Sequence, residues 1–267
     1  MIMYEKPEVF RTLDLDFMTG YLKQAQWAEF IELKKIINEV AKRKGTPIDV
    51  LDIGIGDARI PITLAEIEEV WKCIDKFDGI DISDDILRVA KDKIKKYNLS
   101  DKVNIKKFDA KNLNQLLDLE QRYDLVICTY FTAGNFFPDS FSFDENIDDL
   151  DHSKIKNVFQ KVFKPAFDLV RPSGELILGS IYIDNTNSAL RQKQFYEKCG
   201  MTVINKIAPF TATKEGFWSF RFTKERIKEF FDWIDSDKIN LINLDTYNFA
   251  MMVRIKKDAE KKNEKIS

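Results

Sequence analysis

The chain of 267 residues holds one histidine, three cysteines and no excess of basic side chains, with 42 Lys and Arg against 44 Asp and Glu. Each shortage removes a class of function. A histidine–cysteine metal centre needs several such ligands at close spacing, whereas Cys73, Cys128 and Cys199 stand singly in segments that read as helix or strand. Their odd number and scatter point to buried, reduced thiols. The acidic run containing Asp144, Glu145, Asp148, Asp149 and Asp151 reads as a solvated loop rather than a cation site. A net charge of -2 disfavours a general nucleic-acid surface, which ordinarily carries a basic excess. No apolar stretch approaches membrane-spanning length and no apolar signal core opens the chain, so a cytoplasmic protein without membrane contact is expected. There is no internal repeat.

What the sequence does contain is concentrated between Asp49 and Pro61. Val50, Leu51 and Ile53 form the short apolar run of a parallel strand covered on both faces, and Gly54 and Gly56 follow it, where a ligand can approach the backbone. A dinucleotide fingerprint would need a further glycine where the chain has Arg59, and would favour a neutral loop facing a pyrophosphate. Here Asp52 and Asp57 flank the loop. Two carboxylates repel phosphates but suit a ligand with a cationic sulfonium, an amino group and a ribose diol, the chemistry of S-adenosylmethionine (SAM).

The following segments repeat the strand–loop–helix rhythm. Lys76 to Ser83 reads as a second buried strand ending in Asp81 and Ile82, and a carboxylate there can accept two hydrogen bonds from vicinal hydroxyls. Ser83 and Asp84 are N-cap types for a helix reaching about Tyr97. A third strand, Val103 to Asp109, ends at Asp109 and Ala110; Asp109 either accepts an exocyclic amino proton of adenine or caps the next turn. The fourth, Tyr123 to Tyr130, brings Thr129 and Tyr130 to the same edge, and the fifth, Glu175 to Tyr182, follows the turn Arg171 to Gly174.

From Thr46 to Tyr182 this order and spacing resemble the class I SAM-dependent methyltransferases, whose first motif is an acidic residue followed by spaced glycines, with Ala58 here replacing a usual third glycine. The resemblance implies an α/β fold: a Rossmann-like, doubly wound, seven-stranded and mostly parallel sheet with an antiparallel last strand. It implies SAM as cofactor, held by Asp52, Gly54, Gly56, Asp57, Asp81, Ile82, Asp109, Ala110 and Thr129. The expected organisation is one domain over 1–255, with an N-terminal helical lid (1–45), a cofactor core (46–182), a substrate-side insertion (183–237) and the last strands (238–255), then a charged, fraying tail over 256–267.

The two additions are expected to set the acceptor. A helix over Tyr21 to Lys44 carries an apolar stripe of Trp27, Phe30, Ile31, Ile37 and Val40, with Trp27 expected in the core, and Tyr4, Tyr21 and Trp27 able instead to line a lid. Met201 to Ile207 and Phe217 to Phe222 read as strands of a hairpin around Lys214 to Gly216, its alternation offering Trp218 or Arg221 to substrate; Thr223 caps a helix to Ile234. The loop after the fourth strand holds Phe131, Phe136, Phe137, Phe141 and Phe143 around Thr132 to Asn135. That segment is faintly similar to a glycine–asparagine segment of betaine-forming histidine Nα-methyltransferases, which would give Asn135 and Phe136 a substrate role; a plain turn is the alternative. His152 is a candidate general base, and Tyr130, placed by the resemblance at the methionine portion or the reacting centre, is the other candidate catalytic residue. The expected activity is methyl transfer to an oxygen, nitrogen or carbon of a small molecule. Transfer of the aminocarboxypropyl group of SAM, a protein or RNA methyltransferase, and a non-catalytic SAM-binding module stay open beside it.

Overall fold

In the computed structural model, which describes residues 6–14, 16–117, 122–138, 152–205 and 209–259, the apolar run after Thr46 forms the central strand β1 (Ile48–Ile53). The other strands are β2 (Ile74–Asp81), β3 (Val103–Lys107), β4 (Tyr123–Cys128), β5 (Val170–Ile183), β6 (Phe210–Ala212), β7 (Trp218–Phe222), β8 (Ile239–Asn243) and β9 (Ala250–Lys256). Helices α1 (Pro7–Phe10), α2 (Gly20–Lys44), α3 (Arg59–Ala65), α4 (Glu68–Trp71), α5 (Asp84–Lys96), α6 (Asn114–Leu117), α7 (His152–Asp168), α8 (Thr186–Lys198) and α9 (Lys224–Phe230) flank them. Strands β1 to β5 are parallel, with β1 lying between β2 and β4. The order β3-β2-β1-β4-β5 therefore reverses direction at the β1/β4 boundary, where a crevice opens at the carboxyl ends of the strands.

β5 carries the remainder of the sheet. Tyr182 pairs with Ala250 of the antiparallel β9 and with Arg221 of the parallel β7, so these two strands lie on opposite edges of β5. β4 occupies the edge opposite β9 as far as Leu178, and β7 takes over that edge beyond it. The β6–β7 hairpin thus stands above the carboxyl end of β4, over the crevice. Continuity with β5 makes one nine-stranded sheet, two strands more than the seven of the expected core.

Local chemistry explains most element boundaries. Ser83 Oγ accepts the Ile86 N–H and starts α5, and Thr223 Oγ1 accepts the Arg226 N–H to start α9. α2 buries Leu22, Ala25, Leu33, Ile36 and Val40 along one stripe. Trp27 falls off that stripe and is 63% exposed, contrary to the expectation of a core residue. The hairpin also departs from expectation: its first strand is Phe210–Ala212, while the 201–205 segment contributes one bridge, Val203 to Thr213. Helix α9 stops at Phe230, short of Ile234. The chain beyond Lys256 stays docked through Asp258, because Lys257 Nζ donates to the carbonyls of Phe167, Asp168 and Val170, and the Asp258 carbonyl accepts from Ser173 N–H. Tyr4, Phe141, Phe143 and the acidic run 144–151 lie outside the described residues. No helix among the described residues is long and apolar enough to cross a membrane.

Gly134, in the turn after β4, passes directly under the hairpin, and a Cβ there would stand 2.7 Å from the Phe220 carbonyl oxygen and 3.3 Å from its nitrogen. Backbone atoms of a paired strand have no rotamer to escape into. Gly134→Val is expected to cost about 2 kcal/mol of stability, the usual penalty for overpacking. Thermal denaturation checks this, and an unshifted melting temperature would show that the hairpin rides freely above the turn.

Candidate active site

The crevice holds a cavity of about 210 Å³ with two chemically distinct halves. The first is built where β1 runs out. Gly54, Gly56 and Ala58 take left-handed backbone angles of φ 78°, 57° and 62°, which fold the loop back on β2. There the N–H groups of Gly54 and Ile55 both donate to the Ile80 carbonyl. Alanine at 58, the residue in place of the third glycine, bears the conformational strain that glycine would avoid. A Cβ on Gly54 would lie 2.5 Å from Thr132 Cγ2, so this glycine lets the β1 and β4 loops touch.

Asp81 closes the loop from the β2 side. Its Oδ2 accepts Gly56 N–H at 3.0 Å and its Oδ1 accepts Ser83 N–H at 3.0 Å. Each oxygen retains a lone-pair direction, and the side chain lines the cavity. Burial pushes its pKa up, partly offset by those amide donors. Ile82, Asp109, Ala110 and Thr129 line the same half. Asp109 is both lining and cap, since its Oδ1 accepts Lys111 N–H at 2.9 Å.

The two carboxylates flanking the loop have different fates. Asp57 lines the cavity but is ion-paired, with Arg59 Nε at 3.2 Å and Lys93 Nζ at 2.6 Å. Burial opposes its charged form, but the two cations outweigh burial and hold its pKa below the ordinary value. The repulsion of phosphates argued from this residue is therefore compensated locally. Asp52 is fully buried behind the loop, away from the cavity lining, and neither carboxylate oxygen has a hydrogen-bond partner among the described residues. Desolvation, with the neighbouring Glu29 and Asp81 charges, raises its pKa well above that of an ordinary aspartate.

That shift has a testable consequence. A carboxyl group whose folded pKa is raised contributes stability below the ordinary carboxylate range, and this contribution is lost as pH rises through the folded pKa. Asp52→Asn cannot ionise. It is expected to match the parent near pH 4 and to unfold at higher temperature than the parent at neutral pH, as melting curves across pH 4–8 would show; a constant offset at all pH values would mean that Asp52 does not titrate in the folded protein.

The second half is organised by Glu29, a residue missed from sequence although it interrupts the α2 stripe between Ala25 and Leu33. Only 1% exposed, its carboxylate accepts Tyr130 N–H at 3.1 Å, Ser180 N–H at 2.8 Å and a short bond from Ser180 Oγ. These bonds support two consecutive left-handed residues, Tyr130 at φ 61° and Phe131 at φ 63°. Such strain persists only where surrounding contacts over-determine it. Phe131 stacks on Tyr182 with ring centroids 4.0 Å apart, and Tyr130 donates its hydroxyl to Met18 Sδ at 2.8 Å beneath the Arg59 guanidinium. Arg59 Nη2 also donates to the Leu13 carbonyl at 2.6 Å, so the segment around α1 covers the loop, with Thr12, Leu13 and Met18 lining the cavity. Burial raises the Tyr130 pKa, which makes its phenol a neutral donor and not a base at neutral pH.

The second half is lined by Phe131, Asn135, Phe136, Phe137, Tyr182, Phe195, Tyr196, Phe217 and Ser219. Asn135 Oδ1 is buried with no hydrogen-bond partner among the described residues. The other residues expected here lie elsewhere. Trp218 is fully buried and stacks on Phe210 at 4.1 Å. Arg221 sits behind the wall on Gln192, Thr211 and Asp184. Tyr21 packs outside the cavity, with the Arg191 guanidinium carbon 3.1 Å from its ring centroid and Tyr247 edge-on to it. His152 opens α7 exposed to solvent, its ring edge-on to Phe220 at 6.4 Å and outside the lining.

A doubly wound sheet whose crevice is formed by a glycine turn, a carboxylate at the end of β2 and an aromatic-walled second half has the architecture of a class I methyltransferase. The family described as "Methyltransferase domain" matches residues 46–232. The fold is that of an S-adenosylmethionine-dependent methyltransferase from Clostridium acetobutylicum, at a TM-score of 0.57 and 13% identity, covering 94% of this chain and 97% of that one. The CcbJ methyltransferase of Streptomyces caelestis is similar at a TM-score of 0.53 and 12% identity, covering 90% and 97%. Among curated proteins, no sequence matches this chain. The chain belongs to the methyltransferase domain family.

Proposed function

We propose that the protein transfers the methyl group of SAM to a small-molecule acceptor enclosed between the β4 loop and the β6–β7 hairpin. The observation that carries this reading is the position of the hairpin. Paired to the end of β5 on the β4 side, it roofs the acceptor chamber with Phe217 and Ser219, leaving a compact, aromatic-walled space. A strand of RNA or a folded protein surface needs an open, extended groove; an enclosed apolar chamber with few polar groups suits a small ligand.

The residues fit the cofactor in the first half. Asp81 keeps unshared lone pairs toward the cavity for the ribose diol, Gly54 and Gly56 keep the loop thin, and Asp109 and Ala110 lie where the adenine edge would rest. When bound, SAM supplies an activated methyl group on sulfonium sulfur. The chain's own part is positioning: the Tyr130–Phe131 turn, held by Glu29, fixes the boundary between the halves, and the aromatic walls exclude water. Asn135 Oδ1 offers a hydrogen-bond acceptor to a polar hydrogen of the ligand. The described acceptor wall contains neither a carboxylate nor an imidazole, so His152 has no catalytic role in this reading, and the nucleophile arrives with its lone pair available. Incubation of the protein and SAM with a metabolite extract, followed by mass spectrometry, tests the proposal. A gain of one methyl group on a small molecule is expected. Transfer of a four-carbon aminocarboxypropyl group, or of methyl to macromolecules alone, would overturn it.

A further inference from the structure

Behind the acceptor wall, among β6, β7 and α8, runs a hydrogen-bonded chain whose direction is fixed by its innermost member. Arg221 is 3% exposed and, as a guanidinium, can only donate. Its Nη1 donates to Gln192 Oε1 at 2.6 Å and to Thr211 Oγ1 at 2.8 Å, and Thr211 Oγ1 in turn donates to the same Gln192 oxygen at 2.7 Å. Two donors on one atom settle which end of the Gln192 amide is oxygen. Its nitrogen is thereby turned outward, and Nε2 donates to the Tyr196 hydroxyl oxygen at 3.1 Å.

Tyr196 lines the cavity together with Tyr182 and Ser219, and the Ser219 Oγ is buried with no hydrogen-bond partner among the described residues. Because Gln192 Nε2 donates to the Tyr196 oxygen, the Tyr196 proton is left for a partner on the cavity side. Burial pushes the Tyr196 phenol up to about 12 and the Tyr182 phenol higher than its ordinary value, so both are protonated donors at neutral pH. The wall between the aromatic rings is therefore polarised in one sense: donors face the ligand, and a guanidinium stands behind them. Asp184 is shared by Arg221 at 3.4 Å and Arg226 at 2.9 Å.

We propose, building on the small-molecule methyltransferase reading, that the acceptor carries a carboxylate, which docks on the hydroxyls of Tyr196, Tyr182 and Ser219 while its apolar body lies among Phe131, Phe136 and Phe217. Neutral donors on a structural guanidinium recognise an anionic oxygen without placing a mobile salt bridge in the chamber. Hydrogen bonds to a charged group are also stronger than those to a neutral one. A neutral amide or ester at the same position would form weaker bonds and gain less from the Arg221 field.

The test uses the full chain saturated with S-adenosylhomocysteine and a panel of matched probes: 3-phenylpropanoate, 4-hydroxybenzoate and phenylalanine, each beside its primary amide, titrated calorimetrically. At least one carboxylate is expected to bind about tenfold or more tightly than its amide, as the difference between charged and neutral hydrogen bonds requires. Tyr196→Phe and, separately, Ser219→Ala are expected to erase that preference while leaving affinity for S-adenosylhomocysteine unchanged, which also reports that each variant folds. A panel in which no carboxylate outbinds its amide would overturn the inference, as would a preference that survives both substitutions. Loss of nucleoside binding by the parent protein would instead overturn the methyltransferase reading itself, so the two failures are distinguishable.

Discussion

Asp81→Ala is expected to weaken SAM binding by at least about a hundredfold. One hydrogen bond to a charged acceptor is worth roughly 1.5–3 kcal/mol, and a ribose diol would make two. The variant also releases the Gly56 and Ser83 amides, the bonds that hold the glycine turn against the end of β2. Asp81→Asn, which keeps one oxygen acceptor, should fall between parent and alanine. A pH dependence accompanies this. The diol donors favour the ionised carboxylate, while burial in the free protein raises its pKa. Affinity should therefore decline on acidification at a pH above the ordinary aspartate range. Isothermal titration of both variants across pH 4–8 measures all three effects; an alanine variant with parental affinity would remove Asp81 from the cofactor site.

Trp218→Ala is expected to be a stability variant. Its ring is fully buried, stacked on Phe210 at 4.1 Å and tilted against Phe137 at 6.5 Å. Truncation of a buried tryptophan costs about 3–5 kcal/mol, which in a chain of this size lowers the melting temperature by on the order of 10 °C. The loss should be concentrated in the hairpin, where the indole packs between Phe210 and Phe137, and acceptor turnover should fall through loosening of the roof. Chemical denaturation separates the two causes. A variant as stable as the parent but with a raised KM would mean that the indole contacts substrate, contrary to its placement.

This second case shows where sequence reasoning reached its limit. The alternation from Phe217 to Phe222 was legible, because side chains on a strand point alternately to two faces. Which face met the cavity was not, since that depends on the hairpin docking across β5 and on Gly134 beneath it. Phe217 and Ser219 face the chamber, whereas Trp218 packs on Phe210 and Phe137, and Phe220 and Phe222 enter the aromatic core with Phe159 and Phe230. The cofactor half was more readable because its features are local. Spaced glycines after an apolar run and an acidic residue closing the next strand belong to single strand–loop units, whose geometry is set within a few residues. Asp52 illustrates the remaining gap: its place in the motif was plain, but only the packing of Glu29 and Asp81 around it reveals a carboxyl group without a partner. Glu29 itself was visible as a charge in an apolar helical stripe. Its purpose depends on Tyr130, 101 positions further along, and on Ser180.

β5 also has a consequence for how the chain is made. Its edge toward β9 is a row of unpaired backbone groups under Leu176, Ile177, Leu178 and Ile181 until the last strand emerges from the ribosome. From Ile183 to Lys256 is 256 - 183 = 73 residues, roughly 4–15 s of synthesis at typical elongation rates. Throughout that interval the nascent protein displays a long apolar strand edge of the kind that recruits other strands. A messenger truncated before Ala250 would leave the edge open permanently, so such fragments should aggregate or be held by chaperones even though every residue of the nucleoside half is present.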